Sequence, residues 1–351
     1  MRIGKRELEP GRPYVIAEAG VNHNGEIGLA KKLIVAAKEC GADAIKFQTF
    51  TVDEIVTDDA KQAKYQAENT GVEESQAVML RKLALSYEDF RELKKYADEQ
   101  GIEFLATAFS IPDADFLHSL ELPAYKVSSG DLTNIPFLRH LAGFGRPILL
   151  STGMATPDEI RDSLAALSPQ NEVVLLQCTS EYPCPPEHTN LRAMETLRSE
   201  FNVPIGFSDH TEGIDASVYA ASLGAVVIEK HFTLDKALPG PDHKASLEPS
   251  ELKELVRRIR ATKLGSLQIP EILLGTGVKA PTAEELATKK LVRKGIASRR
   301  NIKAGELLSE ENIFIARPEG LLLPKEWPNV LEKHAARDIP KGTSLSWEMI
   351  Q

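Results

Sequence analysis

Short apolar runs alternate with amphipathic segments between residues 14 and 232. Eight runs have the length and apolar content of buried strands: YVIAEAG (14–20), DAIKFQTF (43–50), EFLATAF (103–109), AYKVSSG (124–130), PILLSTG (147–153), VVLLQCTS (173–180), IGFSDHT (205–211) and VVIEKHF (226–232). The segments EIGLAKKLIVAAKECG and YEDFRELKKYADEQG repeat apolar residues at helical spacing and end at Gly, a common helix stop. Alternating strands and helices predict a parallel sheet with helical crossovers.

Eight candidate strands favour an α/β fold of the (β/α)8 TIM-barrel type. A doubly wound open sheet is the alternative, but it usually has fewer strands and a Gly-rich first turn, and the chain contains no GxGxxG. The stretch from 52 to 86 is too long for one crossover helix. An insertion after the second strand of a barrel would lie at the carboxyl ends of the strands, where active sites form.

The pattern changes after about residue 265. We predict a barrel domain over residues 1–275, a linker over 276–290 and a small, separate, β-rich domain over 291–351, because the last segment has short apolar runs broken by turns.

Composition narrows the classes of function. The 351 residues carry a formal net charge of −9, which argues against a broad nucleic-acid or anionic-membrane surface. No apolar run approaches the roughly 20 residues of a membrane span, and the N-terminus lacks the apolar core of a signal peptide. The three cysteines form no CxxC pair, which indicates a reducing compartment. We therefore expect a cytoplasmic protein.

Polar side chains end all eight candidate strands. In the sixth run, Gln177 and Thr179 share one face. In the eighth run, Lys230 has the opposite parity to Glu229 and His231, so we expect it to face the helices. His210 and His231 are predicted to face inward from adjacent strands, which suits an open site for a Lewis-acid divalent ion, although core histidines remain the alternative. A second set combines cations and hydroxyls, as a phosphate and a carboxylate require: Lys46, Thr107, Lys126, Ser129, Ser151 and Ser208.

All of these residues except Thr107 lie in seven motifs that closely resemble the bacterial sialic acid synthase family: IAEAGVNHNG (16–25), AIKFQTF (44–50), AYKVSSGDL (124–132), ILLSTGMAT (148–156), QCTSEYPCPP (177–186), IGFSDHT (205–211) and EKHFTLDKALPGPDHKAS (229–246). The C-terminal segment resembles the antifreeze-like (SAF) domain of that family. The resemblance implies an enzyme that condenses phosphoenolpyruvate with an N-acetylated amino sugar.

The resemblance also implies roles for individual residues. His210 and His231 would hold Mn²⁺ or Mg²⁺, and the six-residue set of cations and hydroxyls would bind phosphoenolpyruvate. Glu18 and Glu229 would be the candidate acid–base residues beside the sugar. The remaining sugar contacts would be Gln48, Asn69, Tyr182, Asp242 and Arg317.

Arg317 matches an arginine that reaches into the barrel of the partner subunit, which implies a domain-swapped homodimer. The chain has RPEG at this point, where the family pattern is typically RPG.

Several functions stay open at this stage. N-acetylmannosamine as the sugar would give N-acetylneuraminate, a 2,4-diacetamido-trideoxy hexose would give legionaminic or pseudaminic acid, and a 6-phosphorylated sugar is a further option. A metal-dependent barrel hydrolase would normally carry HxH on the first strand, where this chain has VNHNG. A carbohydrate- or ice-binding protein would not need a ring of lysines and histidines, and it would release no phosphate.

Overall fold

Eight parallel strands form a closed barrel in the computed structural model, which describes residues 1–351. Each strand pairs with the next along the chain, and the eighth pairs with the first. In chain order, the first to eighth barrel strands span Tyr14–Gly20, Ala44–Thr49, Glu103–Ala108, Tyr125–Val127, Ile148–Ser151, Val173–Gln177, Ile205–Asp209 and Val227–His231. Each strand lies within the run predicted for it, so the TIM-barrel prediction is confirmed.

Helices surround the barrel, and local sequence signals mark their ends. The helix Tyr87–Gln100 begins after Ser86, whose hydroxyl accepts a hydrogen bond from the Asp89 backbone, and it ends at Gly101 in a left-handed conformation. The barrel helices are Ile27–Glu39, Tyr87–Gln100, Ile111–Ser119, Ile135–Ala142, Pro157–Ala166, Ala193–Phe201, Asp215–Ser222 and Pro249–Ala261. Single 3₁₀ turns occur at Ser129–Asp131, Pro186–His188, His243–Ala245, Pro324–Glu326 and Trp347–Met349.

The barrel interior changes from apolar to polar along the strand direction. An apolar cluster fills the end at which the strands begin, and it includes Tyr14, Ile16, Leu105, Leu149 and Val227. A short N-terminal hairpin, Arg2–Ile3 paired with Arg6–Glu7, closes this end and adds Ile3 to the cluster. Since alternate residues face inward, the next inward positions along the strands carry the polar side chains described below.

The insertion after the second strand forms three short helices, Val52–Ile55, Lys64–Thr70 and Gln76–Leu83. Its apolar side chains pack with Val21, Phe50 and Phe109 in a separate cluster. The insertion therefore covers the carboxyl ends of the strands, as its position in the sequence predicts.

The C-terminal region is β-rich, as predicted. Gly295–Ser298 pairs antiparallel with Ile313–Ala316, and a small apolar core of its own lies beside this pair. The helix Trp327–Val330 belongs to this region, while Glu271–Leu274 and Ala283–Val292 lie between it and the barrel. The boundaries at 275 and 291 remain predictions. None of the helices combines the length and the apolar composition that crossing a bilayer requires.

Candidate active site

One pocket opens at the carboxyl ends of the barrel strands. It gathers all of the predicted site residues except Asn69: Glu18, Lys46, Gln48, Thr107, Lys126, Ser129, Ser151, Tyr182, Ser208, His210, Glu229, His231, Asp242 and Arg317. The barrel produces this convergence, because the polar end of each strand points toward the same axis.

Lys46 lies at the centre of a buried charge network. Its Nζ is 2.5 Å from Oε2 of Glu18 and 3.7 Å from Oε2 of Glu229, and it donates a hydrogen bond of 3.1 Å to Oγ1 of Thr107. Gln48 donates a bond of 3.1 Å to the other oxygen of Glu18. The buried ammonium lies between the two carboxyl groups, so each of them has a countercharge when it is ionised.

Lys126 and Ser208 complete the network on the other side of Glu229. Nζ of Lys126 lies 3.5 Å from Oε1 of Glu229, and the hydroxyl of Ser208 donates a bond of 3.0 Å to the same oxygen. Burial lowers the pKa of Lys126, and Glu229 opposes that shift. Both lysines therefore depend on a carboxylate neighbour for their charge.

The two acids experience opposite electrostatic environments. Burial raises the pKa of Glu18, although the nearby Lys46 opposes the shift. Burial also acts to raise the pKa of Glu229, but Lys126 and Lys46 outweigh it and hold that pKa below the usual range. Two carboxyl groups with pKa values pushed apart are suited to proton donation and proton acceptance respectively.

His210 and His231 face each other across the same pocket, with 5.6 Å between ring centroids. Nδ1 of His210 lies 2.7 Å from the carbonyl oxygen of Thr179. Because a carbonyl only accepts hydrogen bonds, this nitrogen carries the proton and Nε2 keeps its lone pair. Burial lowers the pKa of His210 to about 3 and that of His231 to about 4, so both rings are neutral near pH 7.

The donor set of this pair fits a divalent metal ion. Neutral imidazole nitrogens are common metal ligands, and Nδ1 of His231 is buried without a hydrogen-bond partner in the protein. Only two imidazoles face the pocket, which would leave other coordination positions for water or substrate oxygen. By contrast, His23 of the VNHNG motif lies outside the pocket and packs against Phe47.

Aromatic rings extend from the histidines to the insertion. The ring of Tyr182 contacts His210 in a tilted arrangement, with 4.1 Å between centroids, and Tyr65 stacks on Tyr182 at 4.9 Å. Tyr65 also lines the pocket and was not identified from the sequence. It lies in a helix of the variable insertion, where no local pattern distinguishes a pocket residue from a surface residue.

The remaining sugar-contact candidates occupy different positions. Asp242 lines the pocket, where burial raises its pKa to about 7. Asn69 stands outside the lining and donates a bond of 2.6 Å to the carbonyl oxygen of Pro241, so it contacts the loop that carries Asp242.

Arg317 enters the pocket of its own chain. Its guanidinium lies 5.3 Å from the ring centroid of Phe109, and its backbone pairs with Val56 of the insertion. The RPEG sequence therefore allows Arg317 to reach the site. This placement differs from the partner-subunit position that the resemblance implies, because the small domain folds back onto the barrel that precedes it. The domain-swapped dimer itself stays a prediction.

The sixth strand presents different residues from those expected. Gln177 and Thr179 point away from the pocket: Gln177 accepts a bond from Lys279, and Thr179 donates to the carbonyl oxygen of His188. Cys178 and Ser180 line the pocket instead. The apolar run VVLL does not reveal which residues face inward. The strand is buried on both faces, so polar and apolar residues do not alternate along it.

Comparison with known proteins agrees with this arrangement. A sequence model of the NeuB family matches residues 33–267, and a model of the SAF domain matches residues 293–351. The chain is 44% identical over 344 residues to N,N'-diacetyllegionaminic acid synthase of Legionella pneumophila, covering 96% of this chain and 94% of that protein. It is 36% identical over 355 residues to N-acetylneuraminate-9-phosphate synthase of Homo sapiens, covering 98% and 96%.

A solved structure shares the whole architecture. Spore coat polysaccharide biosynthesis protein SpsE from Bacillus subtilis matches with a TM-score of 0.85 and 34% identity, covering 100% of this chain and 99% of that one. The barrel and the small C-terminal domain thus occur together in both proteins. The chain belongs to the NeuB family of sialic-acid-type synthases, and it ends in a SAF domain.

Proposed function

We propose that the protein condenses phosphoenolpyruvate and water with the open-chain form of an N-acetylated amino hexose, giving a nine-carbon 2-keto sugar acid and inorganic phosphate. The observation that carries the proposal is the convergence of two buried lysines, two carboxyl groups with opposite pKa shifts and two neutral histidines in one pocket. A hydrolase or a binding protein would not require all three pairs.

The favoured sugar is a 2,4-diacetamido-trideoxy hexose, which would give a legionaminic-type acid. Identity is 44% to the relative named N,N'-diacetyllegionaminic acid synthase and 36% to the relative named N-acetylneuraminate-9-phosphate synthase. The wall formed by Phe50, Ile55, Leu80 and Phe109 is apolar, which suits the methyl group of a 6-deoxy sugar better than a phosphate. N-acetylmannosamine, the sugar first expected from the sequence, is the second candidate.

Lys46 and Lys126 would hold the carboxylate and phosphate of phosphoenolpyruvate, with Thr107, Ser129, Ser151 and Ser208 as hydroxyl donors. Oγ of Ser151 supports this role, since it is buried and has no hydrogen-bond partner in the protein. The bound enol phosphate would then present its C3 to the sugar aldehyde at near-attack distance.

His210 and His231 would hold Mn²⁺ or Mg²⁺, which supplies Lewis-acid polarisation of the aldehyde when bound. C3 of phosphoenolpyruvate attacks the aldehyde carbon, the C–C bond forms, and the carbonyl oxygen takes a proton from Glu18. Water then adds to the cationic C2 while Glu229 takes its proton. The bond between C2 and the phosphate oxygen breaks, the new C2 hydroxyl gives its proton to the leaving phosphate, and a ketone remains.

Glu229 and Glu18 would return to their starting states by proton transfer. Glu229 is protonated and Glu18 is ionised at the end of the reaction, and both lie beside Lys46. Transfer of one proton from Glu229 to Glu18 prepares the site for the next turnover.

We also propose that the protein forms a homodimer. An exchange of SAF domains between two chains would place Arg317 at the partner's pocket with the same neighbours that it has here. Molar mass in solution, measured by light scattering, tests it: twice the mass of 38.6 kDa supports a dimer, and 38.6 kDa argues against it.

The proposed function is tested by supplying phosphoenolpyruvate and Mn²⁺ with each sugar separately and identifying the product by mass spectrometry. A 2-keto acid from the 2,4-diacetamido-trideoxy hexose, formed at a higher kcat/KM than from N-acetylmannosamine, is the expected result. A preference for N-acetylmannosamine would overturn the sugar assignment, and absence of product with every amino sugar would overturn the reaction.

A further inference from the structure

The segment that leads from the barrel to the SAF domain packs against the pocket. We call residues 279–294 the connecting segment. At its start, Nζ of Lys279 donates to the Gln177 side chain at 3.1 Å and to the Cys178 carbonyl at 3.2 Å. At its end, Nζ of Lys294 lies 2.7 Å from Oδ1 of Asp131. The connecting segment is thus bound at both ends to loops that follow barrel strands.

Glu285 makes the most direct link between this segment and the pocket. Its side chain is buried, and Oε1 accepts hydrogen bonds of 2.7 Å from the backbone N–H groups of both Met154 and Ser180. Met154 follows the fifth barrel strand, and Ser180 follows the sixth. One carboxylate oxygen therefore ties together the loops that follow two adjacent barrel strands.

Together with Ser129, which follows the fourth strand, the loops joined by Glu285 build one wall of the pocket. We call it the anion wall, and its lining residues are Ser129, Ser151 and Ser180. The wall is tightly packed, because a Cβ on Gly153 would lie 2.2 Å from Oγ of Ser180 and 2.8 Å from Oγ of Ser129. The N–H of Gly153 also donates a bond of 2.9 Å to Oγ of Ser129. A small movement of either loop would therefore displace these hydroxyls relative to one another.

The backbone conformation of Met154 indicates that contacts from outside its own loop hold the anion wall in place. Met154 has φ of +60°, in the left-handed region that a residue with a side chain rarely adopts. Such a conformation persists where surrounding contacts determine it. The N–H of this same residue is bound by Glu285, so the connecting segment contributes one of the contacts that hold it.

We propose that Glu285 is a positioning residue that sets the spacing of the anion wall and, through it, the affinity for phosphoenolpyruvate. The identity of that anion rests on the proposed function. Binding of the substrate inside the barrel would then depend on a side chain that lies outside the barrel strands and their crossover helices.

Three variants separate this role from a general effect on folding. Glu285→Ala removes the acceptor of two buried N–H groups, whereas Glu285→Gln keeps a side-chain oxygen at the position of Oε1. Glu284→Ala is the matched control: it removes an exposed carboxylate of the same helix that bonds to neither loop, and it leaves the bonds of Glu285 to Met154 and Ser180 in place. If Glu285→Ala does not fold, Glu285→Asp replaces it, because the shorter side chain cannot reach both loops.

Two measurements are made on the full-length protein. Steady-state kinetics should show KM for phosphoenolpyruvate raised about tenfold or more in Glu285→Ala, the scale expected when buried N–H groups lose their acceptor. KM for the sugar should stay within about twofold, and Glu285→Gln and Glu284→Ala should resemble the wild type. Hydrogen exchange should show faster exchange of residues 151–156 and 178–182 together in Glu285→Ala alone.

Several outcomes would overturn the proposal. These are an unchanged KM for phosphoenolpyruvate in Glu285→Ala, an equal defect in Glu284→Ala, or an equal defect in Glu285→Gln. If the wild type neither binds nor consumes phosphoenolpyruvate, the proposed function fails, while hydrogen exchange still decides whether Glu285 joins the two loops.

Discussion

Asp209 and Lys230 form a fully buried ion pair between the seventh and eighth barrel strands, with 3.0 Å between Oδ2 and Nζ. Both side chains point away from the pocket, as the parity of Lys230 predicts, and each directly precedes a pocket histidine, His210 or His231. Asp209 also accepts a bond of 2.6 Å from the hydroxyl of Ser217 on the next helix. The pair therefore joins the two strands at the point where they present the histidines.

Lys230→Met should destabilise the protein by about 3–5 kcal/mol, because Asp209 would remain buried without a countercharge. Urea unfolding measures this loss. The double variant Asp209→Asn with Lys230→Met should recover a large part of the stability, since neither charge is then buried. Unchanged unfolding in the single variant would mean that the pair does not stabilise the two strands.

His210→Ala should abolish metal-dependent turnover and leave the fold intact, because the ring lies at the pocket and makes one bond to a loop carbonyl. Calorimetric titration with Mn²⁺ should show binding weakened by roughly 100-fold or more, as expected when one of two protein ligands is lost. His334→Ala, which changes an exposed histidine, serves as control. Normal Mn²⁺ affinity and turnover in His210→Ala would exclude this residue as a ligand.

Lys126→Met should raise KM for phosphoenolpyruvate at least about tenfold while KM for the sugar changes little, since a charge-assisted contact to the anion is lost. Lys253→Met, at an exposed helix position, should behave as the wild type. A larger effect on the sugar than on phosphoenolpyruvate would reassign Lys126 to the sugar end of the pocket.

Asp242→Asn should change how stability depends on pH. Burial raises the pKa of Asp242 from 3.8 to about 7 in the folded state, so between these values the folded protein binds a proton that the unfolded chain releases. The contribution of Asp242 to the free energy of unfolding is therefore fully present at low pH, and it falls as the pH rises toward 7. The variant should match the wild type near pH 4 and exceed it at pH 8 by at most about 4 kcal/mol.

Urea unfolding at pH 4, 6 and 8 tests the prediction for Asp242, with Asp59→Asn, an exposed position, as control. A constant difference between the wild type and Asp242→Asn across this range would show that Asp242 ionises normally in the folded protein.

The sequence predicts the barrel well because its signals are local. Each strand is an apolar run of suitable length, and helices such as Tyr87–Gln100 carry their own start and stop residues. The parity of residues in the eighth strand also gives the inward phase, since Glu229 and His231 share a parity and face the pocket, while Lys230 between them does not.

The sequence predicts less about residues whose positions depend on tertiary contacts. Tyr65 and Glu285 reach the site from an insertion and from a connecting segment, and no local pattern distinguishes them from surface residues. Gln177 and Thr179 share a polar face of the sixth run, but this face is not the one at the pocket, and a strand buried on both faces shows no alternation that would reveal this. Arg317 directly follows the strand Ile313–Ala316 of the small domain, so its position depends on how that domain packs and not on its own neighbours in sequence.

Phosphate release from phosphoenolpyruvate tests the central claim most directly. The assay uses chelator-treated protein with a 2,4-diacetamido-trideoxy hexose, with and without added Mn²⁺, and parallel reactions with N-acetylmannosamine or without sugar. The account predicts release that requires both a sugar and the metal ion, with one keto acid formed per phosphate. Release that occurs equally without sugar, or no release with any amino sugar in the presence of Mn²⁺, would contradict it.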